Sequence, residues 1–309
     1  MIELKMKLKI RIATRKSQLA LRQVDMVTQT LGKSVIANIL DIVTSGDKTL
    51  DKSLADIGGK GLFIKELENT ILNDDADIAV HSMKDMETEI AKNTIIAAVL
   101  PRGDRSDVLL GNYTSFDQLP NGAVIGTSSV RRAAFAKSYR PDLVIKLLRG
   151  NVGTRIKKLN NGEFDGIILA KAGLDRLNID LGYIIPKEII PPASTQGVIA
   201  IQSTNFKKTN LEIEINNLLS NINDEKTHYE TLAERSFLKF LDGSCRSPIS
   251  SSAYINQTNN LTLYGAIAKL DGTLVIKSSI TGLKEDAVSL GQELGKEIIA
   301  KGGNKILHQ

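Results

Sequence analysis

One pattern recurs along this chain and limits what it can fold into: a short apolar run that ends in a polar loop carrying a cation. The clearest copy is Ala76-Asp77-Ile78-Ala79-Val80-His81-Ser82-Met83-Lys84-Asp85. A core such as Ile78-Ala79-Val80 suits a strand covered on both faces in a parallel sheet. Open α/β sheets place their ligands at the C-terminal ends of such strands. Lys84 and Asp85 are then expected to face a cleft. The competing reading has Asp85 capping the next element and Lys84 solvated. Polar loop tips are common, so this stretch alone does not separate the two.

The other copies do more. Residues 7–13 read as a first strand that exits through Thr14-Arg15-Lys16-Ser17. Residues 18–31 carry Leu19, Leu21, Val24, Val27 and Leu31 at helical spacing, with Gly32 as a stop. Residues 36–43 and 94–100 read as further strands, the latter followed by a polar run over 101–107 that marks a crossing between domains. The strand 123–126 leads into Thr127-Ser128-Ser129-Val130-Arg131-Arg132 and then a helix. Hydroxyls and free N–H groups at a helix start favour an anion, and paired arginines add a fork suited to carboxylates. A capped helix with two solvated arginines is the plain alternative. Residues 143–148 end in Arg149-Gly150-Asn151-Val152-Gly153-Thr154-Arg155, and residues 165–170 end in Lys171-Ala172-Gly173-Leu174-Asp175-Arg176. Strand ends thus supply Arg15, Lys84, Arg131, Arg132, Arg149, Arg155, Lys171 and Arg176. Scattered surface cations would not fall so regularly after apolar runs. A polyanionic ligand in a two-lobed cleft is the favoured reading.

Nucleic acid is also a polyanion. Against it stand 4% aromatic content, no Trp and a net charge of only +5 without a basic tract. At 309 residues the chain has room for two or three domains. Cys245 is the only cysteine, which fits a reducing compartment. His81, His228 and His308 lie too far apart for a zinc spacing, so no metal is expected. Residues 1–8 lack the apolar core of a signal peptide, and no apolar run approaches a membrane span. The expectation is a soluble cytoplasmic chain with no membrane partner.

The loop Ile57-Gly58-Gly59-Lys60-Gly61-Leu62-Phe63 has neither the glycine spacing nor the hydroxyl residue of a phosphate loop. It reads as a lid bringing Lys60 and Phe63 to a ligand, or as a plain surface loop. Further on, Pro191-Pro192 breaks regular structure, and a strand over 198–202 is expected to return to the first lobe. A helix over 211–219 closes that lobe and residues 221–224 form a linker. The last part reads as a separate unit. It has a helix opened by a Thr227/Glu230 capping box, a strand over 250–255, a hairpin around Asp271-Gly272 and a helix over 285–301. A lone cysteine is usually a small buried hydrophobe. Gly243-Ser244-Cys245-Arg246-Ser247-Pro248 instead places it on a loop, where Arg246 favours the thiolate.

Six stretches now carry a resemblance: Ile12-Ala13-Thr14-Arg15, Gly58 to Phe63, Ala76 to Asp85, Gly126-Thr127-Ser128-Ser129, Leu148 to Arg155, and Gly243-Ser244-Cys245. Over nearly its whole length the sequence resembles the porphobilinogen deaminase (hydroxymethylbilane synthase) family of tetrapyrrole and haem biosynthesis. The resemblance implies an α/β fold of two periplasmic-binding-protein-like (type II) lobes forming a cleft, plus a small C-terminal α+β domain with a three-stranded sheet. The implied domains are 1–101 with 199–222, then 102–198, then 223–309. It also implies a monomeric transferase that joins four porphobilinogens head to tail, each losing ammonia, on a dipyrromethane primer, and releases hydroxymethylbilane with water. Cys245 matches the residue that holds the primer, and Asp85 matches the catalytic aspartate. Loss of ammonia gives an electron-poor azafulvene, and the following attack leaves positive charge on pyrrole nitrogens that a fixed carboxylate stabilises.

Ser82, Lys84, Asp85, Thr127, Ser128, Ser129, Arg131, Arg132, Arg149 and Gly150 are then expected at the cofactor. Arg15, Ser17, Lys60, Phe63, Arg149, Arg155 and Arg176 are expected at the substrate. The sequence departs from the family pattern at Arg22, Met86-Glu87, Arg105-Ser106, Ser194-Thr195 and Arg246-Ser247. Two other classes share such lobes: a binding protein for a polyanionic small ligand, and an effector-binding module of a transcription factor. The absence of an export signal and the presence of Cys245 speak against the first. The absence of a helix-turn-helix speaks against the second.

Overall fold

The computed structural model describes residues 7–48, 61, 64–205, 209–243 and 247–307. Lys60, Phe63 and Cys245 lie outside the described residues. The strands are β1 (Leu8–Arg15), β2 (Val35–Ile42), β3 (Ile78–Ser82), β4 (Thr94–Val99), β5 (Asp107–Gly111), β6 (Val124–Gly126), β7 (Val144–Lys146), β8 (Gly166–Ala170), β9 (Tyr183–Ile185), β10 (Ile199–Thr204), β11 (Ile249–Ile255), β12 (Asn260–Ala268) and β13 (Val275–Leu283). The α-helices among the described residues are α1 (Gln18–Leu31), α2 (Ser45–Lys48), α3 (Lys65–Leu72), α4 (Val130–Tyr139), α5 (Val152–Asn160), α6 (Lys171–Arg176), α7 (Asn210–Ile222), α8 (Glu225–Phe240), α9 (Ala287–Ile298) and α10 (Asn304–Leu307).

The apolar runs pair into two five-stranded sheets of the same plan, β2-β1-β3-β10-β4 and β7-β6-β8-β5-β9. In each, the first three strands are parallel. The fourth place is taken by a strand that the chain reaches while crossing from one sheet to the other. It runs antiparallel to both neighbours: β10 against β3 and β4, β5 against β8 and β9. This is the order expected of type II lobes, and β10 is the expected returning strand.

Two compact units result. One takes the described residues up to 48, from 61 to 102 and from 198 to 228; the other takes 103–197 and those from 229 on. In the first, Ser17 caps α1 by accepting a hydrogen bond from the Ala20 N–H (3.2 Å), and Gly32 at φ 82° stops it. The face so defined buries Val24, Val27 and Leu31 against Ile10, Ile12, Ile78 and Val80. Each such side chain contributes roughly 1.5–3 kcal/mol of transfer free energy.

In the second unit the three-stranded antiparallel sheet β11-β12-β13 has its own core around Phe237, Leu263, Leu294 and Ile298. Ala266 and Ala268 of β12 also enter the core of Phe116, Ala134 and Phe135 beneath α4. The β12–β13 turn reaches α4 as well. Gly272, at φ 79°, sits so close that a Cβ there would meet the Ser138 nitrogen at 2.5 Å. One packed body therefore carries both the α4 helix and the elements flanking Cys245.

Three expectations need correction. The run Lys171 to Arg176 is not an open loop but a short helix, α6. The first two residues of the expected 221–224 linker are the end of α7, which leaves Asn223 as its cap and Asp224 to connect. The expected Thr227/Glu230 capping box does not form. The helix starts earlier, and Asp224 caps it by accepting from the Thr227 N–H (2.8 Å). The Thr227 hydroxyl accepts from the Arg102 N–H (3.1 Å), and the Glu230 carboxylate turns to the Arg105 guanidinium (3.0 Å). Long-range partners outbid the local motif.

The departures from the family pattern find structural places. Met86 is a core residue, and the Glu87 carboxylate accepts the Gly61 N–H (2.9 Å). Arg22 is half-buried and lies 4.0 Å from Asp25, a pairing of little energetic weight. Thr195 is buried with φ at 57°, in the left-handed region that a β-branched residue avoids. Glu234 holds it there by accepting the Thr195 N–H (2.6 Å). Left-handed backbone costs an L residue roughly 1–2 kcal/mol, and glycine gives back roughly half of that in unfolded-state entropy. Thr195→Gly is therefore expected to stabilise the protein by about 0.5–1 kcal/mol, read as a higher denaturation midpoint. A lower midpoint would show that the Thr195 side chain contributes more through packing than its backbone strain costs.

Candidate active site

In the first unit, β3 ends in a single 3-10 turn, Met83–Asp85, closed by the Met86 N–H donating to the Met83 carbonyl (3.0 Å). Met83 and Met86 are buried on either side of it. These two anchors leave Lys84 and Asp85 half-buried and facing outward. Asp85 lines a pocket of about 70 Å³ with Arg15, Ser17, Gln23, His81 and Ser82. The ends of β1 and β3, two parallel neighbours, and the first turns of α1 thus bring these groups together.

Gln23 was not singled out from the sequence. It is 2% exposed and donates through Nε2 to the Ser82 hydroxyl (2.7 Å). The available signal was its phase: it falls on the buried face of α1 beside Ala20, Val24 and Val27. A polar residue at a core position asks for a polar partner. His81 is buried, and burial lowers its pKa to about 4, so its ring is neutral at neutral pH.

In the second unit, β6 delivers Thr127, Ser128 and Ser129 to the start of α4. The Thr127 hydroxyl accepts from the Ser129 N–H (3.1 Å), and the Ser129 hydroxyl caps the helix by accepting from the Arg132 N–H (3.4 Å). Arg131 and Arg132 stand on the first turn of α4, buried rather than solvated. The carboxylate they take is the chain's own Asp107. Arg131 Nη2 lies 2.7 Å from Oδ2, and Arg132 gives Nη2 at 2.7 Å and Nε at 3.1 Å to Oδ1. The remaining contacts go to carbonyls, Arg131 Nη1 to Pro191 and Arg132 Nη1 to Ile168 (2.9 Å). Among the described residues, Arg131 Nε is buried with no partner.

The two guanidinium groups hold the Asp107 carboxyl well below the usual carboxylate range, against a burial effect that by itself would raise it. Two cations thus share one anion, leaving a charge of about +1 in a site screened from water, at the positive end of a helix. An anionic ligand relieves that imbalance.

Arg149 is buried and precedes Gly150, whose φ of 111° turns the chain toward α5. A Cβ at Gly150 would meet Thr154 Cγ2 at 2.9 Å, so the tight turn needs glycine. Asn151 caps α5 by accepting from the Thr154 N–H (2.9 Å). Arg155 Nε donates to the Gly150 carbonyl (2.8 Å), which holds its guanidinium back over the turn. Arg176 donates to the Gly197 carbonyl (2.6 Å), and burial lowers its pKa to about 10. Lys171 is tied to Asp175 on the same short helix. Arg149, Gly150 and Arg155 form one local group; Thr127, Ser128, Ser129, Arg131 and Arg132 form another.

Comparison with known proteins gives concordant matches. Residues 10–212 match the family described as "Porphobilinogen deaminase, dipyromethane cofactor binding domain", and residues 228–300 match "Porphobilinogen deaminase, C-terminal domain". Proteins named porphobilinogen deaminase from two strains of Buchnera aphidicola subsp. Acyrthosiphon pisum, Tuc7 and APS, are each 42% identical over 305 residues. Those alignments cover 97% of this chain and 95% of each relative. Among solved structures, a YaeC-family lipoprotein from Enterococcus faecalis is similar at 9% identity and a TM-score of 0.41, over 68% of this chain and 91% of that one. A regulatory domain of OxyR2 from Vibrio vulnificus is similar at 9% identity and a TM-score of 0.40, over 71% and 98%.

Proposed function

The chain belongs to the porphobilinogen deaminase family, and from that premise we propose how its own residues carry out the family's reaction. The reaction condenses four porphobilinogens head to tail with loss of four ammonia molecules and ends in hydrolysis to hydroxymethylbilane. The observation that carries the assignment of roles is the pocket at the end of β3, where Asp85 stands with Arg15, Ser17, Gln23 and Ser82.

Each porphobilinogen bears an acetate and a propionate. Arg15 and Ser17 take those acids in the first unit, with Gln23 and Ser82 holding the pocket wall. The Asp85 carboxylate then faces the pyrrole ring. As the aminomethyl group leaves as ammonia, positive charge spreads onto the ring nitrogen, and the carboxylate accepts the ring N–H and stabilises that charge. When the new bond has formed, the attacking carbon must lose its proton, and Asp85 is placed to assist that transfer. Lys84, beside it, keeps the local charge balanced and takes a further acid. Lys60 and Phe63 are assigned to the lid over this site.

Dipyrromethane is the family's cofactor, here assigned to Cys245; bound, it supplies the free pyrrole position onto which the first substrate is joined. The residues fit its acids. The triad around Asp107 holds a net positive charge, and Arg131 Nε carries a buried N–H without a partner among the described residues. Thr127, Ser128 and Ser129 add hydroxyls and helix N–H groups at the same place. Arg149, Arg155 and Arg176 are assigned to the acids of the lengthening chain. A cytoplasmic monomer remains the proposed form, with no helix among the described residues long and apolar enough to cross a membrane.

Porphobilinogen consumption with release of ammonia and hydroxymethylbilane tests the whole reading. Arg149→Leu is expected to cut the rate of product release at least tenfold and to accumulate enzyme carrying fewer than four added units, visible by intact mass. Unchanged kinetics in that variant would leave Arg149 as a structural residue only.

A further inference from the structure

Asp107 opens β5, the fourth of the five strands of the second sheet, and its carboxylate meets the two arginines of the first turn of α4. Its side chain is fully buried, as are those of Arg131 and Arg132 (0%, 4% and 8% exposed). Three side chains donate to it. Arg131 takes Oδ2; Arg132 takes Oδ1 twice; and Gln196 Nε2 donates to Oδ1 (2.9 Å). Gln196 is itself fixed by the Arg105 and Ser106 carbonyls (2.8 and 3.3 Å). Two guanidinium groups on one turn of a helix repel each other when dry, and the shared carboxylate offsets that repulsion. Each oxygen is used differently: Oδ2 serves Arg131 alone, while Oδ1 serves Arg132 and Gln196. The Arg131 Nη1 contact to the Pro191 carbonyl completes its fork, and Nε is what remains.

We propose that Asp107 is a positioning residue for the reaction: its carboxylate aims the Arg131 guanidinium, through Oδ2, so that the unpartnered Nε–H meets a carboxylate of the bound pyrrole chain. This rests on the assignment of Arg131 to those acids. Asn at 107 keeps an acceptor for Arg132 and Gln196 and sets an N–H2 against the Arg131 donor. Asp107→Asn therefore loosens Arg131 selectively, leaving it the Pro191 carbonyl while Arg132 keeps its acceptor.

The experiment is steady-state kinetics of Asp107→Asn, Gln196→Met and Arg131→Leu in the full-length holoenzyme. Rates are expressed per molecule loaded with dipyrromethane, counted by intact mass. For Asp107→Asn the expected result is a fall of about tenfold in kcat with KM within threefold, since substrate enters against Arg15 and Ser17 in the other unit. A merely structural carboxylate would lower the yield of folded protein and leave kcat per loaded molecule unchanged. Turnover within twofold of the parent overturns the proposal. Should Asp107→Asn not fold, Gln196→Met decides: it keeps both ion pairs and removes one donor that fixes Oδ1. A twofold to fivefold loss of kcat is expected there, and no loss overturns the proposal. Arg131→Leu separates the two levels. If it turns over normally, the assignment of Arg131 fails; if it is impaired while both other variants are normal, only the role of Asp107 fails.

Discussion

Asp85→Asn is expected to fold as the parent does and to turn over about 10²–10³-fold more slowly, the usual effect of removing one group aimed at developing charge. The fold is kept because the turn that carries Asp85 has no side-chain cap. The turn is closed by backbone and pinned by Met83 and Met86, which the substitution does not touch. Asn preserves shape and one acceptor but removes the charge that stabilises a cationic pyrrole. The acids of the substrate are held elsewhere, so KM should move by only a few-fold. Near-normal kcat would remove Asp85 from its role and leave the pocket as a binding site without chemistry.

The second large effect is on stability. Arg105→Met is expected to destabilise the second unit by about 3 kcal/mol, because breaking a buried ion pair leaves its partner desolvated. Glu230 and Glu234 of α8 have side chains 2% and 0% exposed, and the Arg105 guanidinium lies 3.0 and 3.9 Å from them. The same group donates to the Ala253 carbonyl (2.6 Å) and stacks over Tyr254 at 4.0 Å from the ring centroid. One side chain therefore ties the crossing segment to both α8 and β11, the elements that precede and follow Cys245 in the chain. The low end of the range for buried pairs applies, because Glu234 also accepts the Thr195 and Ala253 N–H groups (2.6 and 2.7 Å). Equilibrium unfolding in denaturant is the measurement. A change below about 0.5 kcal/mol would make this a surface-like pair in spite of its burial.

The sequence made the first sheet readable because its strands are apolar and its helix α1 is amphipathic, with a serine cap and a glycine stop. It hid β5 and β9. Tyr183–Ile185 is only three residues long, and β5 opens on Asp107, which is buried through ion pairing rather than apolarity. Periodicity cannot see a buried charge whose partners lie 24 and 25 residues away. For the same reason Arg131 and Arg132 were legible as an acid-reading pair but not as a pair already sharing a carboxylate. Strand-end chemistry singled out Arg15, Ser17, Ser82 and Asp85, which line one pocket because parallel neighbours end together. Gln23 joined that pocket through helix phase. Thr195 shows the opposite limit: the sequence marks the position as a departure from the family pattern, but its left-handed backbone is seen only in the structure.

The central claim, that this chain builds its product on a dipyrromethane held by Cys245, is tested most directly by intact mass. The purified, denatured protein is weighed beside Cys245→Ala, before and after incubation with porphobilinogen. The account predicts a surplus equal to one dipyrromethane on the parent, present as purified or acquired on incubation, and no surplus on the variant. A parent that gains no mass with substrate, or a Cys245→Ala protein that carries the same surplus, would contradict it.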